Sequence, residues 1–588
     1  MEKGQRRDLG WGQPPRKKAK RDAERTKRTK RTKRKAKQRD HLPPERRGNQ
    51  RHRRFIMAAS ITRRTAVKGA ASLAAVAAVA GNAAAALAAE GPSVANTTPT
   101  PSFFAQPDPI TDIAETYDYD VVVVGAGAAG VPAAISAFQA GVKVALLQKE
   151  DTASSQGNTC DSVLKDESDP AGVAAVASLI NQDCSHRSRH DQVMLWANNS
   201  GEALKWLWDL GEQAGAQMVD STAKWTSAIQ NIDDYAVSYF AFDFGPKPYN
   251  TGNGMQDICS WAEGQGLEVF YETPACQLVQ DESGNVTGVI AEKADGTHVQ
   301  FNAAKGVILA TGDFMNDDDM MSYYAPEMAN IYRKQHGRTG DGHKMAVWAG
   351  AKMEDVCPTR VLHDFDGGPG AMCDMPFLAV KDDGNRFCNE KRCEMATMAN
   401  FLNGPEDCGY YNQIFDADYM TTCAEWPGKL YDEEAIKAYM PEEEGEKVGV
   451  YEGLIATYKA DTIEELAEKL GVNAENLVAT VERYNELCAQ GADEDFGKAA
   501  KWLVPVQNPP FYGIRRHIGL SAIMLGVNVD ENMQVTREDG SVIGGLFAIG
   551  NIAGNFYGSP DYPMTVPGLS LGRCHTQGYV TGKYVASL

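Results

Sequence analysis

An α/β fold with a parallel sheet is what this sequence predicts, and three observations predict it. Val121–Val124 is an unbroken run of valine, as expected of a strand covered on both faces. It leads straight into Gly125-Ala126-Gly127-Ala128-Ala129-Gly130 and then a helical stretch from Val131 to Ala140. A second apolar run, Lys143–Leu147, follows at the distance a strand-helix-strand unit requires. Together these form a Rossmann-like dinucleotide-binding unit.

Each position in the turn has a physical task. Gly125 permits the tight turn, Gly127 lets backbone approach a pyrophosphate, and Gly130 allows the helix to pack closely on the strand. The helix N-terminus, at Ala128 and Ala129, offers free N–H groups and a partial positive charge to the phosphates. Gln148 stands where an acidic ribose ligand is expected, with Glu150 two residues on. An amide can both donate and accept a hydrogen bond, so the sequence leaves the ribose contact open.

The 588 residues exceed what one typical domain needs, and the net charge of -19 hides a split. Residues 1–56 carry 23 Lys and Arg against 6 Asp and Glu, which leaves 36 against 72 for the rest. That basic segment is too poor in apolar residues to fold. Two readings stand for it: an arm for an anionic surface, or a non-translated extension with the true start at Met57. The acidic body repels phosphate backbones, which excludes nucleic acid as the substrate and favours a small organic molecule.

From Met57 the chain reads Ser60-Ile61-Thr62-Arg63-Arg64-Thr65-Ala66-Val67-Lys68, then an Ala/Val-rich run over Gly69–Ala80 and small residues to Ala89. Residues 57–89 are therefore expected to be a twin-arginine export signal, with periplasmic or extracytoplasmic delivery of a folded protein. Residues 90–117, with six prolines and glycines, are expected to be a linker.

Further stretches carry a family resemblance. Ala304-Lys305-Gly306-Val307-Ile308-Leu309-Ala310-Thr311-Gly312-Asp313-Phe314, Thr339-Gly340-Asp341-Gly342, Gly384-Asn385-Arg386-Phe387-Cys388-Asn389-Glu390 and Gly545-Leu546-Phe547-Ala548-Ile549-Gly550-Asn551 resemble the superfamily of the fumarate reductase flavoprotein subunit and the ketosteroid dehydrogenases. The resemblance spans about residues 118–588 and implies FAD as cofactor. It implies an FAD-binding domain from residues 118–312 and 510–588, with an inserted α+β capping domain over 313–505 and substrate between cap and flavin. The FAD ligands it implies, besides the glycine turn, are Gln148, Lys149, Ser155, Gly157, Asn158, Gly312, Asp341, Gly550, Asn551, Ser570 and Leu571. Ser570 and Leu571 are expected to turn backbone N–H groups to the flavin's pyrimidine end.

The resemblance also bears on substrate. Relatives that reduce fumarate hold two carboxylates with a histidine and a second arginine. Here Ser521 or Ala522 stands near the histidine's place, and 555–568 contains no Arg or Lys. The expected substrate is instead an α,β-unsaturated carbonyl compound: an enone, a lactone such as that of a cardiac glycoside, or an acrylate. Tyr562 and the Gly568 N–H are the expected donors to its carbonyl, although packing alone accounts for Tyr562 equally well. Arg386 is the expected proton donor, with His363 and Asp364 as its relay, although a structural role is also open to it. Tyr323, Tyr324, Tyr332 and Trp348 are candidate cap wall. A ketosteroid-type dehydrogenase running in reverse, or a fumarate reductase, is the alternative.

Twelve cysteines form no C-x-x-C pair, so no c-type haem is expected and electrons must come from a membrane-bound cytochrome or quinol-linked partner. Cys357, Cys373, Cys388, Cys393 and Cys408 surround Arg386 in sequence; a [4Fe-4S] cluster and scattered buried thiols are both open readings.

Overall fold

The computed structural model describes residues 101–588 except 226–228, 247, 329, 364–366, 374, 393–400, 403–408, 427–428, 448–451 and 564. The basic segment, the export signal, Asp364, Cys393 and Cys408 lie outside the described residues.

The chain enters the main sheet on β1 (Ile113–Val124), turns into α1 (Gly130–Gln139) and returns on β2 (Val144–Leu147). The four valines that close β1 are at most 5% exposed, and β2 is buried throughout. A short antiparallel layer follows, β3 (Thr159–Val163) against β4 (Tyr235–Phe244). The sheet resumes with β5 (Glu268–Phe270) and the long β6 (His298–Leu309). In β6, residues 298–303 alternate in and out, whereas Val307–Leu309 are fully buried. One face of the strand is therefore solvated at its start, and both are covered at its end.

The expected linker is partly built into the fold. Residues 113–119 extend β1 by pairing with residues 298–303 of β6, and Phe104 is buried with its carbonyl accepting from the Trp348 indole. Backbone pairing with β6 satisfies this polar stretch, which composition alone marks as loop.

Beyond β6 the chain builds smaller sheets. β7 (Thr359–His363) belongs to one of them. β8 (Leu378–Val380), β9 (Tyr410–Phe415) and β10 (Thr457–Ala460) belong to another, backed by α2 (Ala474–Gln490). The next strand, β11 (Phe511–His517), departs from expectation. It pairs antiparallel with both β9 and β10, so residues 511–517 complete the cap sheet rather than opening the second FAD-binding segment. β12 (Gly519–Met524) then pairs with β7.

The chain rejoins the main sheet through β13 (Gln534–Thr536) and β14 (Val542–Ala548). The strand order is β13-β14-β6-β1-β2-β5, with all but β13 parallel, and a hairpin of 275–280 and 286–292 flanks β6. The last helix, α3 (Leu569–Ser587), lies against α1. A Cβ on Gly578 or Gly582 would overlap the α1 carbonyls of Ala129 or Ala133, so glycine is what allows the two backbones to approach. No described helix is long and apolar enough to cross a membrane.

Candidate active site

The carboxyl ends of β1, β6 and β14 deliver three turns to one edge of the sheet. Gly125 has φ +104°, and a Cβ there would lie 2.6 Å from the Ala310 carbonyl oxygen. A Cβ on Gly130 would collide with the Gly125 carbonyl, and one on Gly550 would lie 3.0 Å from the Ala129 methyl. The crevice outside the carboxyl ends of parallel strands is where such folds hold a dinucleotide. No side chain caps the α1 N-terminus; Val131 and Ala133 give their N–H groups to the Gly127 and Ala129 carbonyls and Pro132 has none, so the N–H groups at the helix start, Ala128 to Gly130, are those left for phosphate oxygens. Buried around the same edge, Thr311 Oγ1 and Gln577 Nε2 have no partner. Free helix N–H groups and orphaned buried polar atoms fit an oxygen-rich cofactor such as FAD.

The implied cofactor ligands divide into two groups. Gly157 (φ +78°) lies where a Cβ would touch Leu571 at 3.0 Å, which joins the 155–158 loop to the start of α3. Lys149 Nζ binds Thr339 Oγ1 at 2.8 Å and Asp341 Oδ2 at 3.0 Å, tying the end of β2 to the T-G-D-G segment. Asn551 Nδ2 donates to Asp313 beside Gly312. Ser155 closes against Gly252. Gln148 and Asn158, by contrast, spend their amides on backbone, Gln148 within its own loop and Asn158 on the end of β4 and the segment after it. Gln148 donates to the Thr152 carbonyl and accepts from the Lys149 N–H, and Asn158 donates to the Phe244 and Tyr249 carbonyls.

Ser570 differs from expectation too. Its N–H donates to the Tyr562 hydroxyl at 2.7 Å instead of pointing freely at the flavin. The phenol thus sits on the N-terminus of α3, behind Gly568, which caps that helix in the left-handed region (φ +80°). Tyr562 packs against a buried apolar cluster that includes Val361, Ala522, Met524 and Tyr557, the Tyr557 ring centroid lying 6.0 Å away. Burial holds its hydroxyl above the ordinary phenol range, while the Ser570 N–H and the Arg573 charge pull the other way. The phenol oxygen is occupied as acceptor, so its own proton is free to be donated.

Arg386 is the clearest correction. Its Nε and a terminal nitrogen bind Glu390 at 2.8 and 2.9 Å, and its two terminal nitrogens bind Asp493 at 3.0 and 2.8 Å. Four of its five N–H groups are engaged, and both carboxylates are at most 1% exposed. Lys498 joins Glu390 at 3.3 Å and donates to Tyr484 on α2. Burial opposes the Arg386 charge, but the two carboxylates hold its pKa above the ordinary value. Burial likewise raises Asp493, yet Arg386 and the N–H groups of Lys498 and Phe496 draw it down to about 2. A guanidinium held this way has no proton to give. His363 ends β7 opposite Gly519, in a different sheet from the β8 edge that Arg386 bridges.

The cysteines occupy separate environments. Cys388 packs with Ala379 and Tyr411, the Cys373 carbonyl accepts from Gln413, and the Cys357 thiol faces Arg360. Among the described residues no group of three or more His, Cys, Asp or Glu is arranged to hold a metal. Of the candidate wall aromatics, Tyr323 and Tyr324 meet edge to face and both pack on Phe103, beside the Phe104 to which Trp348 is tied, whereas Tyr332 lies against His517; Tyr323 is 52% exposed.

Asp161, on β3, carries no sequence signal. It is fully buried, its Oδ1 accepts from Ser162 N–H and its Oδ2 has no partner. Burial pushes its carboxyl up to about 8. A raised folded pKa gives stability that is complete below the ordinary value of 3.8 and is lost as pH rises toward 8. The difference in melting temperature between the parent and Asp161→Asn should therefore shift in the variant's favour from pH 4 to 8; a constant difference would contradict the assignment.

The FAD binding domain family matches residues 120–560. The vinyl phenol reductase of Lactiplantibacillus plantarum is 28% identical over 512 residues, covering 81% of this chain and 97% of that protein. The urocanate reductase of Eggerthella lenta is 30% identical over 467 residues, covering 76% and 71%. The open conformation of a flavocytochrome c3 fumarate reductase shares the fold, with a TM-score of 0.61 and 23% identity over 81% of this chain and 79% of that one. The chain belongs to the FAD binding domain family and is an FAD-dependent oxidoreductase.

Proposed function

We propose that this protein reduces the activated C=C bond of an α,β-unsaturated carbonyl compound, an enone, lactone or acrylate. The observation that carries this reading is Tyr562, whose oxygen is held by the Ser570 N–H while its own proton stays available. When bound, FAD supplies the hydride for the β carbon. Tyr562 hydrogen-bonds the carbonyl oxygen as negative charge gathers there, and the enolate left by hydride addition takes the proton for its α carbon from water. The start of α3 holds the phenol, which packs against the apolar cluster that includes Val361, Ala522 and Met524.

The missing cations support a neutral or singly charged substrate. The fold does bring an arginine to the 555–568 segment, as Arg360 bridges Asp561 by backbone. Its charge is offset by Glu327 at 2.7 Å, which weakens it as a second cation for a dianion. The names of the relatives, reductases of vinyl phenol and urocanate, are consistent with C=C reduction.

The test is anaerobic turnover of FAD-loaded protein with reduced viologen on an enone, an unsaturated lactone, an acrylate, a vinyl phenol and fumarate. Conversion of a conjugated carbonyl is expected. Fumarate as the fastest substrate, or no conversion of any of the first three, would sink the reading. The Tyr562-Pro563 segment also suits a ketosteroid-type dehydrogenase, and reduction of an artificial acceptor by a saturated ketone would favour that direction.

Residues 57–89 support twin-arginine export and delivery of electrons from a membrane-bound cytochrome or quinol-linked donor. Replacing Arg63 and Arg64 by lysine should leave the protein in the cytoplasm; unchanged export would refute this.

A further inference from the structure

Arg573 sits one turn into α3 and is fully buried. It makes one strong hydrogen bond, from a terminal nitrogen to Asn551 Oδ1 at 2.8 Å. Its Nε and other terminal nitrogen have no hydrogen-bond partner, and it forms no ion pair among the described residues. The rings of Tyr557 and Phe556 cover one side, with centroids 4.9 and 5.4 Å from the guanidinium carbon. A buried guanidinium left this open is costly, and cation–π contacts return only part of the cost. A ligand with acceptor atoms completes such a site.

The position says which ligand. Asn551 follows Gly550 at the end of β14, Ser570 and Leu571 open the same helix, and Leu571 meets Gly157. These are the residues that frame the expected flavin edge of bound FAD. The Ser570 N–H, which is expected to meet that edge, is taken by Tyr562. We propose that Arg573 faces the pyrimidine edge of the flavin of bound FAD and sets its reduction potential in place of the Ser570 N–H. A fixed cation beside a ring that gains negative charge on reduction stabilises the reduced form. The nearby buried acids oppose this charge less than exposed carboxylates would, because burial pushes Glu354 up to about 7 and raises Asp313. Arg573 thereby keeps the flavin easy to reduce, as a reductase fed by an external donor needs.

The experiment is dye-equilibrium titration of flavin in FAD-loaded parent, Arg573→Gln and Arg573→Lys, without any substrate, so that its outcome is independent of the substrate reading. Arg573→Gln should shift the oxidised-to-reduced ratio at fixed poise at least tenfold toward oxidised, about 30 mV for a two-electron couple. Arg573→Lys should stay within about threefold of the parent, the smaller fraction of one pKa-scale decade expected when charge is kept. A folded, flavin-loaded Arg573→Gln with the parent's potential overturns the proposal. So does weakened FAD binding with no change in potential, which would place the guanidinium on the ribityl or diphosphate instead. If Arg573→Gln folds but does not retain flavin, Arg573→Lys decides: a parental potential supports the proposal and a tenfold shift overturns it.

Discussion

Replacing Arg386 by methionine is expected to destabilise the flavin-loaded protein by about 3–5 kcal/mol while leaving turnover per bound flavin near the parental value. The reason is geometric: Arg386 fills the space between Glu390 and Asp493, and removing it strands two carboxylates that water does not reach. Lys498 lies 3.3 Å from Glu390 and compensates one of them only in part. The denaturation midpoint and kcat normalised to flavin content report the two quantities separately. Adding Glu390→Gln and Asp493→Asn to the methionine variant should recover part of the stability, because the stranded charges are then gone. A proton donor would behave in the opposite way. Its loss would lower kcat by orders of magnitude, and the neutralised triple variant would recover nothing.

Removing the Tyr562 hydroxyl carries the largest expected kinetic effect. Tyr562→Phe should lower kcat by about 100- to 1,000-fold, the range for losing one preorganised donor to a developing oxyanion. KM should change little, because the bond strengthens as charge develops rather than when substrate binds. Packing should survive, since the ring keeps its place against the apolar cluster and the Tyr557 ring. The variant also frees the Ser570 N–H, so its flavin potential should be measured alongside kcat. A kcat within twofold of the parent would reduce Tyr562 to a packing residue beneath the cofactor.

Some of this was legible because it depends on neighbours in sequence. The turn at Gly125–Gly130 requires glycine for its own backbone and for the contact between consecutive elements, so its spacing is visible in one short window. The return strands at Val307–Leu309 and Leu546–Ala548 are equally local, as buried apolar runs ending in glycine turns. Glu390, four residues from Arg386, was in view as well, yet its partner Asp493 lies 107 residues away. Without that second carboxylate, an arginine in a conserved-looking segment reads as chemistry; with it, the same arginine reads as a cap staple. Asp161 and Arg573 gave no local pattern at all, because what distinguishes them is an empty hydrogen-bonding position in a folded interior.

The sequence by itself determined that a dinucleotide binds at the carboxyl ends of a parallel sheet, while the resemblance of its further motifs to a flavoenzyme family implied that the dinucleotide is FAD. The reason is that strand burial, turn geometry and helix N–H groups are properties of short contiguous segments. Only the tertiary structure decided where β11 pairs, that Arg386 is held by two buried carboxylates, that Ser570 gives its N–H to Tyr562, and that Arg573 is left with open donors. Each depends on which distant groups meet in a low-dielectric interior, and there a single carboxylate or N–H decides whether a charge is neutralised or left for a ligand.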